Sequence, residues 1–258
     1  MSGYFGTEAQ QKLQRKSDRL TAWMMNTPGA CLSGRLIASD DPDRLGWKII
    51  REHLLEDGVF SFRWVDRNGL ERIKSETRDL GASVHGWDGF CNDSAALRPI
   101  ATDLLTHEMP AGLGCRIADQ TSVRALQSFF VDNAISPLSA AVLTGANCNT
   151  RSVLIADERD KIAAAGFVGM LQNRFSPLHD CAWLGLITCD PDMRGHGLGR
   201  RVTAELIRVA LDDLGAGRVM GFAAASNAAS GAMLRGCGLR PVNHASYVAT
   251  LSATRFTA

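Results

Sequence analysis

The stretch Trp183-Leu184-Gly185-Leu186-Ile187-Thr188-Cys189-Asp190-Pro191-Asp192-Met193-Arg194-Gly195-His196-Gly197-Leu198-Gly199 decides the reading of this chain. Its first seven residues are apolar and partly β-branched, as a buried strand requires, and Asp190-Pro191 closes them. Beyond it, Leu198, Val202, Leu206 and Val209 recur at steps of four, four and three, the spacing of one helical face. A strand, a glycine-rich turn and a helix start, in that order, make an anion site. The first helical turn leaves backbone N–H groups without intrahelical partners, and the helix dipole favours negative charge in front of them. Gly195, Gly197 and Gly199 carry no Cβ, so a bulky polyphosphate can come close to the backbone. The plain alternative is a tight strand-to-helix turn without a ligand.

Spacing narrows the ligand. A Walker loop ends in Gly-Lys-Ser/Thr, but Gly199 is followed by Arg200 and Arg201. A dinucleotide fingerprint needs glycine three positions after Gly197, where Arg200 stands. The pattern that fits is R/Q-x-x-G-x-G/A, met by Arg194, Gly197 and Gly199. Downstream, Gly215-Ala216-Gly217 stops the helix and Arg218 to Ala225 reads as a buried strand. Ser226-Asn227 then caps a short helix, Ala228 to Arg235, ended by Gly236-Cys237-Gly238-Leu239. With both motifs in this order, the last 150 or so residues resemble the GNAT superfamily of acyl-CoA N-acetyltransferases.

That resemblance implies an α/β (α+β) fold with a mixed central sheet flanked by helices, and acetyl-CoA as co-substrate, with no metal. It implies that Arg194 and the backbone amides of Gly195, His196, Gly197, Leu198, Gly199 and Arg200 receive the pyrophosphate. Ile187 and Cys189 are expected to pair with the pantetheine amides, the Cys189 N–H to lie near the acetyl carbonyl, and Asn227 to reach the pantetheine arm from the other side. The family's proton-transfer groups are not in their usual places. Seven residues after Asn227 many members carry tyrosine, and here stands Leu234; Trp183 to Thr188 holds no carboxylate. The nearest ionisable groups are His179, Asp180, Cys181 and Asp190, which makes His179, Asp180 and Cys189 the catalytic candidates. Each has a bland reading: His179 and Asp180 as loop residues, Asn227 as a helix cap, His196, Arg200 and Arg201 as solvated side chains.

Composition excludes more than it selects. The 258 residues carry a formal net charge of +1, so no global field recruits nucleic acid or an acidic membrane. The seven cysteines form no C-x-x-C pair, which suggests neither a disulfide framework nor a zinc site and fits a reducing cytoplasm. Met1 to Asp18 lacks a signal-peptide core, and the longest apolar run, Ile162 to Leu171, is too short for a membrane helix. No nucleic-acid or membrane partner is therefore expected; a homodimer stays open.

Along the rest of the chain, Gly112 to Ala118 reads as a strand and Thr121 to Ala134 as a helix with Val123, Leu126, Phe130 and Val131 on one side. Pro137 opens a helix that Gly145 ends, and Ser152–Asp157 with Ile162–Leu171 forms a hairpin; Ala245 to Leu251 is the final strand. Residues 1–110 read as a separate small α+β domain, and 111–258 as the acetyl-CoA-binding domain, divided at Glu108-Met109-Pro110-Ala111-Gly112. A fragment from about Met109 is then expected to fold and bind CoA. Within the first part, Thr7 to Asn26 and Asp41-Pro42 to Gly58 are helix candidates. Val59 to Val65 alternates so that Phe60, Phe62 and Trp64 share a face, as core or as an aromatic cage for a cation, and Asn68-Gly69 reads as a hairpin turn into Leu70-Ile73. Three functions follow: acetylation of a small primary amine, acetylation of a protein N-terminus or lysine, and acyl-CoA binding without turnover.

Overall fold

Helix follows strand through the glycine turn as the apolar pattern requires, and this unit sits at the centre of a ten-stranded mixed sheet in a computed structural model describing residues 3–251. Residues 1, 2 and 252–258 of the two segments drawn from the sequence lie outside the described residues. In chain order the elements are α1 (Glu8–Asn26), β1 (Ala30–Ser33), β2 (Leu36–Ser39), α2 (Pro42–Leu45), α3 (Trp47–Asp57), β3 (Val59–Val65), α4 (Arg67–Thr77), β4 (Ser83–Asp93) and α5 (Ser94–Thr106). There follow β5 (Leu113–Ile117), α6 (Val123–Asp132), α7 (Ala140–Thr144), β6 (Thr150–Asp157), β7 (Ile162–Gly169), β8 (Cys181–Cys189), α8 (Leu198–Asp212), β9 (Arg218–Ala223), α9 (Ala228–Gly236) and β10 (Arg240–Thr250). The sheet order is β1-β2-β3-β10-β4-β9-β8-β7-β6-β5.

That order runs across the division placed at residues 108–112. β4, from the first part of the chain, lies between β9 and β10 and is antiparallel to both, while β3 pairs with the outer side of β10. The sheet is thus one hydrogen-bonded body assembled from both parts. The glycines of β4 explain how a strand so poor in apolar residues can be central. A Cβ on Gly89 would lie 2.2 Å from His244 O, and one on Gly86 would lie 2.8 Å from the Tyr247 ring. Gly89 thus lets the irregular β10 backbone approach, and Gly86 makes room for the Tyr247 ring.

Caps fix several elements where the sequence placed them. Thr7 and Gln10 form a capping box on α1, and Asp41 caps α2 through the Arg44 N–H. The helix read from Asp41 to Gly58 is two helices, because Gly46 at φ 97° breaks it after Leu45. Asn68-Gly69 is not a hairpin turn. The Asp66 carboxylate accepts from the Gly69 N–H and starts α4, which then buries Ile73 and Thr77 at helical spacing. Phe60 and Phe62 are fully buried in a core shared with Met24, Ile50 and Leu54, each worth about 1.5–3 kcal/mol of apolar transfer. Trp64 leaves that stripe: at φ 58°, beside a register shift in the β3–β10 ladder, it turns out to stack on His244. Val131 likewise faces solvent, unlike Val123, Leu126 and Phe130.

A second core lies under α8. Leu198, Val202, Leu206 and Val209 are all buried, packed with Val153, Val168, Leu184 and Val219 of the sheet and with Leu97 and Ala101 of α5. Arg201 ties the two helices together, donating from Nη1 to the carbonyls of Leu105 and His107 at 3.0 Å each. Those carbonyls belong to the last, otherwise unsatisfied turn of α5 and the residues after it. Arg201 is therefore a structural side chain.

Candidate active site

The apolar residues of β8 build only half a ladder with β9. The parallel pairing covers Cys181, Ala182 and Trp183 against Arg218, Val219 and Met220, and stops there. Three residues further, Leu186 adopts φ 55°, and the β7–β8 register shifts between Ala165 and Phe167. A bulge of this kind bends a strand away from its neighbour. Between the diverging strands lies a cavity of about 190 Å³, walled by Leu184, Leu186 and Ile187 of β8, Phe222 of β9, and Ser230, Met233 and Leu234 of α9.

Past the bulge, backbone polarity faces this opening. Asp190 N–H donates to Ala163 O at 2.9 Å, and Cys189 pairs with Ala164. In an antiparallel ladder, residues alternate between bonding the partner strand and pointing away. Cys189 and Ile187 accordingly direct their N–H and C=O groups away from β7, toward the gap that β9 has left. The Cys189 thiol does not line this cavity; burial raises its pKa above the ordinary value, so it stays a thiol at neutral pH. It is the backbone of Cys189, not its thiol, that faces the gap beside β9.

β8 then delivers the chain to the glycine turn. Gly195 and Gly197 take φ 82° and 77°, and a Cβ on either would meet no protein atom within 4 Å. Positive φ requires glycine there, and the space in front is open. The first bond of α8 runs from Arg201 N–H to Gly197 O, and no side chain caps the helix, so the amides of Leu198, Gly199 and Arg200 point forward without helical partners. Gly199 differs: a Cβ there would press on Met233 Sδ at 3.3 Å, so this glycine lets α9 pack. Arg194, His196 and Arg200 are exposed around the turn, and Arg200 edges a cavity of about 250 Å³ beside it. His196 turns Nδ1 to the carbonyls of Met193 and Arg194, at 3.3 and 3.1 Å, so that nitrogen carries the proton and holds the loop.

Residues 122–239 match the model of the acetyltransferase (GNAT) family. This part of the chain is a GNAT domain. The family is one of acyl-CoA-dependent acetyltransferases, and the helix N-terminus, with its two glycines and uncapped amides, fits a pyrophosphate. No curated protein matches the chain in sequence. Among solved structures, a Drosophila protein shares 15% identity and a TM-score of 0.59 over 95% of this chain and 90% of its own. A GCN5-related N-acetyltransferase from Kribbella flavida shares 12% identity and a TM-score of 0.57, over 93% of this chain and 95% of that one. A tandem GNAT protein from the clavulanic acid biosynthesis pathway shares 13% identity and a TM-score of 0.50, over 93% and 89%. At such identities the likeness is one of fold, and it spans the first part of this chain as well as the GNAT domain.

The other sequence candidates are dispersed. Asn227 caps α9, its Oδ1 accepting from the Ser230 N–H at 3.0 Å. Leu234 is buried and packs against Gly221. His179 and Asp180 precede β8, at the opposite end of the strand from Cys189, roughly 25 Å away at a strand's rise per residue. There Asp180 forms an ion pair with Arg218, which holds its carboxyl below the usual range, and its carbonyl accepts from Gly217 N–H. His179 Nδ1 lies 3.0 Å from Ser176 O. Asp180 joins the start of β8 to β9, and both residues stand apart from the opening.

A second cavity, of about 210 Å³, shares Gly185, Leu186 and Phe222 with the first and opens on the other side of the divergence. Its far wall comes from the first part of the chain: residues 33–36 between β1 and β2, Ser61 and Arg63 of β3, and Trp87 of β4. The sequence reading missed these residues. Arg63 alternates with the buried Phe60 and Phe62 on β3, and a lone arginine on the opposite face of an aromatic strand was the available signal. Neither cavity is lined by Asp, Glu, His or Tyr among the described residues.

Proposed function

We propose that the chain transfers an acetyl group from acetyl-CoA to the primary amine of a small molecule in a ternary complex. Leu198, Gly199 and Arg200 amides, with Gly195 and Gly197, hold the pyrophosphate; Ile187 and Cys189 hold the pantetheine in the gap between β8 and β9. The amine nitrogen bonds the acetyl carbon as the C–S bond breaks, and the electron pair leaves on the CoA sulfur. Juxtaposing two reactants supplies much of such an acceleration without any side-chain base. The Cys189 N–H stands on the strand edge where the developing oxyanion needs a donor.

The observation that carries the reading is the 210 Å³ cavity, joined to the gap through Gly185, Leu186 and Phe222 and walled by the first part of the chain. Cavities for drug-sized ligands run about 300–1,000 Å³, so this one suits a smaller acceptor. A polypeptide acceptor would need an open groove, and β1, β2 and β3 stand in its way. All seven cysteines are unpaired, which fits a reducing cytoplasmic setting.

Because neither cavity is lined by a carboxylate, imidazole or phenol among the described residues, the amine must arrive neutral or lose its proton to water. We expect kcat/KM to rise tenfold per pH unit up to the pKa of whichever amine is supplied, and to shift with that amine. CoA thiol release, followed from pH 6 to 9 with a panel of primary amines of different pKa, tests this. A plateau at one pH for every amine would mean an enzyme group takes the proton. Tight CoA binding with no release on any amine would favour the non-catalytic reading.

A further inference from the structure

We propose that the acceptor carries a carboxylate beside its amine, an amino acid in the broad sense, and that Arg63 and Arg35 bind that carboxylate. This rests on the reading of the 210 Å³ cavity as the acceptor chamber. Two guanidinium groups line it and, among the described residues, no carboxylate does. The guanidinium of Arg63, held in a confined and largely apolar space, is unfavourable unless an anion pairs it. Burial lowers the pKa of both arginines to about 10, which still leaves them cationic at neutral pH.

Arg63 is built to receive an anion. Its Nε and Nη2 both donate to Ser33 Oγ, at 3.1 and 2.6 Å, and Nη1 donates to Ser246 Oγ at 3.3 Å. The hydroxyl protons are engaged elsewhere: Ser33 Oγ donates to Ser61 Oγ and Ser246 Oγ to Phe62 O. Neutral lone pairs therefore fix the guanidinium without neutralising it. One N–H on Nη1 and one on Nη2 have no partner among the described residues, and no carboxylate reaches Arg63 there. The plane is held over the Trp183 ring at 4.8 Å and the Phe222 ring at 5.4 Å. Trp183 is the last residue of β8 paired with β9, so Arg63 stands at the mouth of the divergence. Gly185 permits this: a Cβ there would stand 2.4 Å from the Trp183 ring. Arg35, donating to Ser136 O at 3.3 Å, brings the second cation to the same chamber.

A fixed guanidinium prefers planar, bidentate anions, and a carboxylate matches it. An amine bound by its carboxylate at Arg63 has its nitrogen free toward Gly185 and Leu186, where the two cavities meet. The test uses the full chain, acetyl-CoA, and thiol release with the twenty protein L-amino acids, β-alanine and 4-aminobutanoate, each beside its carboxamide. The acid should be preferred over its carboxamide by on the order of 100-fold in KM. Arg63→Met should collapse that ratio toward one, Arg63→Lys should restore part of it, and circular dichroism should show both folded. If Arg63→Met fails to fold, Arg35→Met should reduce the ratio instead. Turnover of uncharged primary amines with no preference for any acid overturns the carboxylate assignment and leaves the acetyltransferase reading standing. No turnover of either set overturns both.

Discussion

Gly197→Val is expected to abolish detectable acetyl-CoA binding in a protein that remains folded. Gly197 sits at φ 77°, where an L-residue costs about 1–2 kcal/mol, a loss that a cooperative fold of this size withstands. A Cβ at this position meets nothing in the protein, so the added side chain stands in the open space before the α8 amides, where the pyrophosphate must come. Arg194→Ala removes one exposed side chain and leaves those amides in place. It should weaken binding by no more than about tenfold, the scale of a solvated charge contact. Calorimetry with acetyl-CoA and circular dichroism on both variants decide the matter. Unchanged affinity in folded Gly197→Val would contradict the backbone cradle. A larger loss in Arg194→Ala would mean that side-chain charge does the binding.

A fragment beginning at Met109 is expected not to fold. It lacks β4, which is paired along one edge with β9 from Asp88 to Asp93 and along the other with β10. Removing a central strand leaves two apolar strand edges unpaired, the arrangement most prone to aggregation. It also removes Phe90, Leu97 and Ala101 from the core under α8, with about 1.5–3 kcal/mol of apolar burial for each of the larger two. Expression of residues 109–258 should give aggregated protein without a cooperative unfolding transition. A soluble fragment that unfolds cooperatively and binds acetyl-CoA within tenfold of the full chain would show that the two parts are independent.

What the sequence disclosed follows from how local its causes are. The turn at Arg194–Gly199, the face Leu198-Val202-Leu206-Val209 and the Asn227 cap depend on neighbours within a few residues, and each stands where the pattern placed it. The hairpin of β6 and β7 is equally local. β4 is different. His85, Gly86, Asp88 and Gly89 interrupt any apolar alternation, and its place is set by strands more than a hundred residues away. Asn68-Gly69 misled because the signal for a tight turn also suits a first helical turn once Asp66 supplies the cap. Arg63 was hidden for a related reason: its significance lies in Ser33, Trp183, Phe222 and Ser246, which no sequence spacing brings together.

The cofactor's place between β8 and β9 is the centre of this account, and amide hydrogen–deuterium exchange of the full chain with and without acetyl-CoA tests it most directly. The account predicts slowed exchange, on binding, at Ile187 and Cys189 and across Gly195 to Arg200, with His179 and Asp180 at the far end of β8 unchanged. Binding accompanied by no protection in the glycine turn, or by protection confined to other elements, would contradict it.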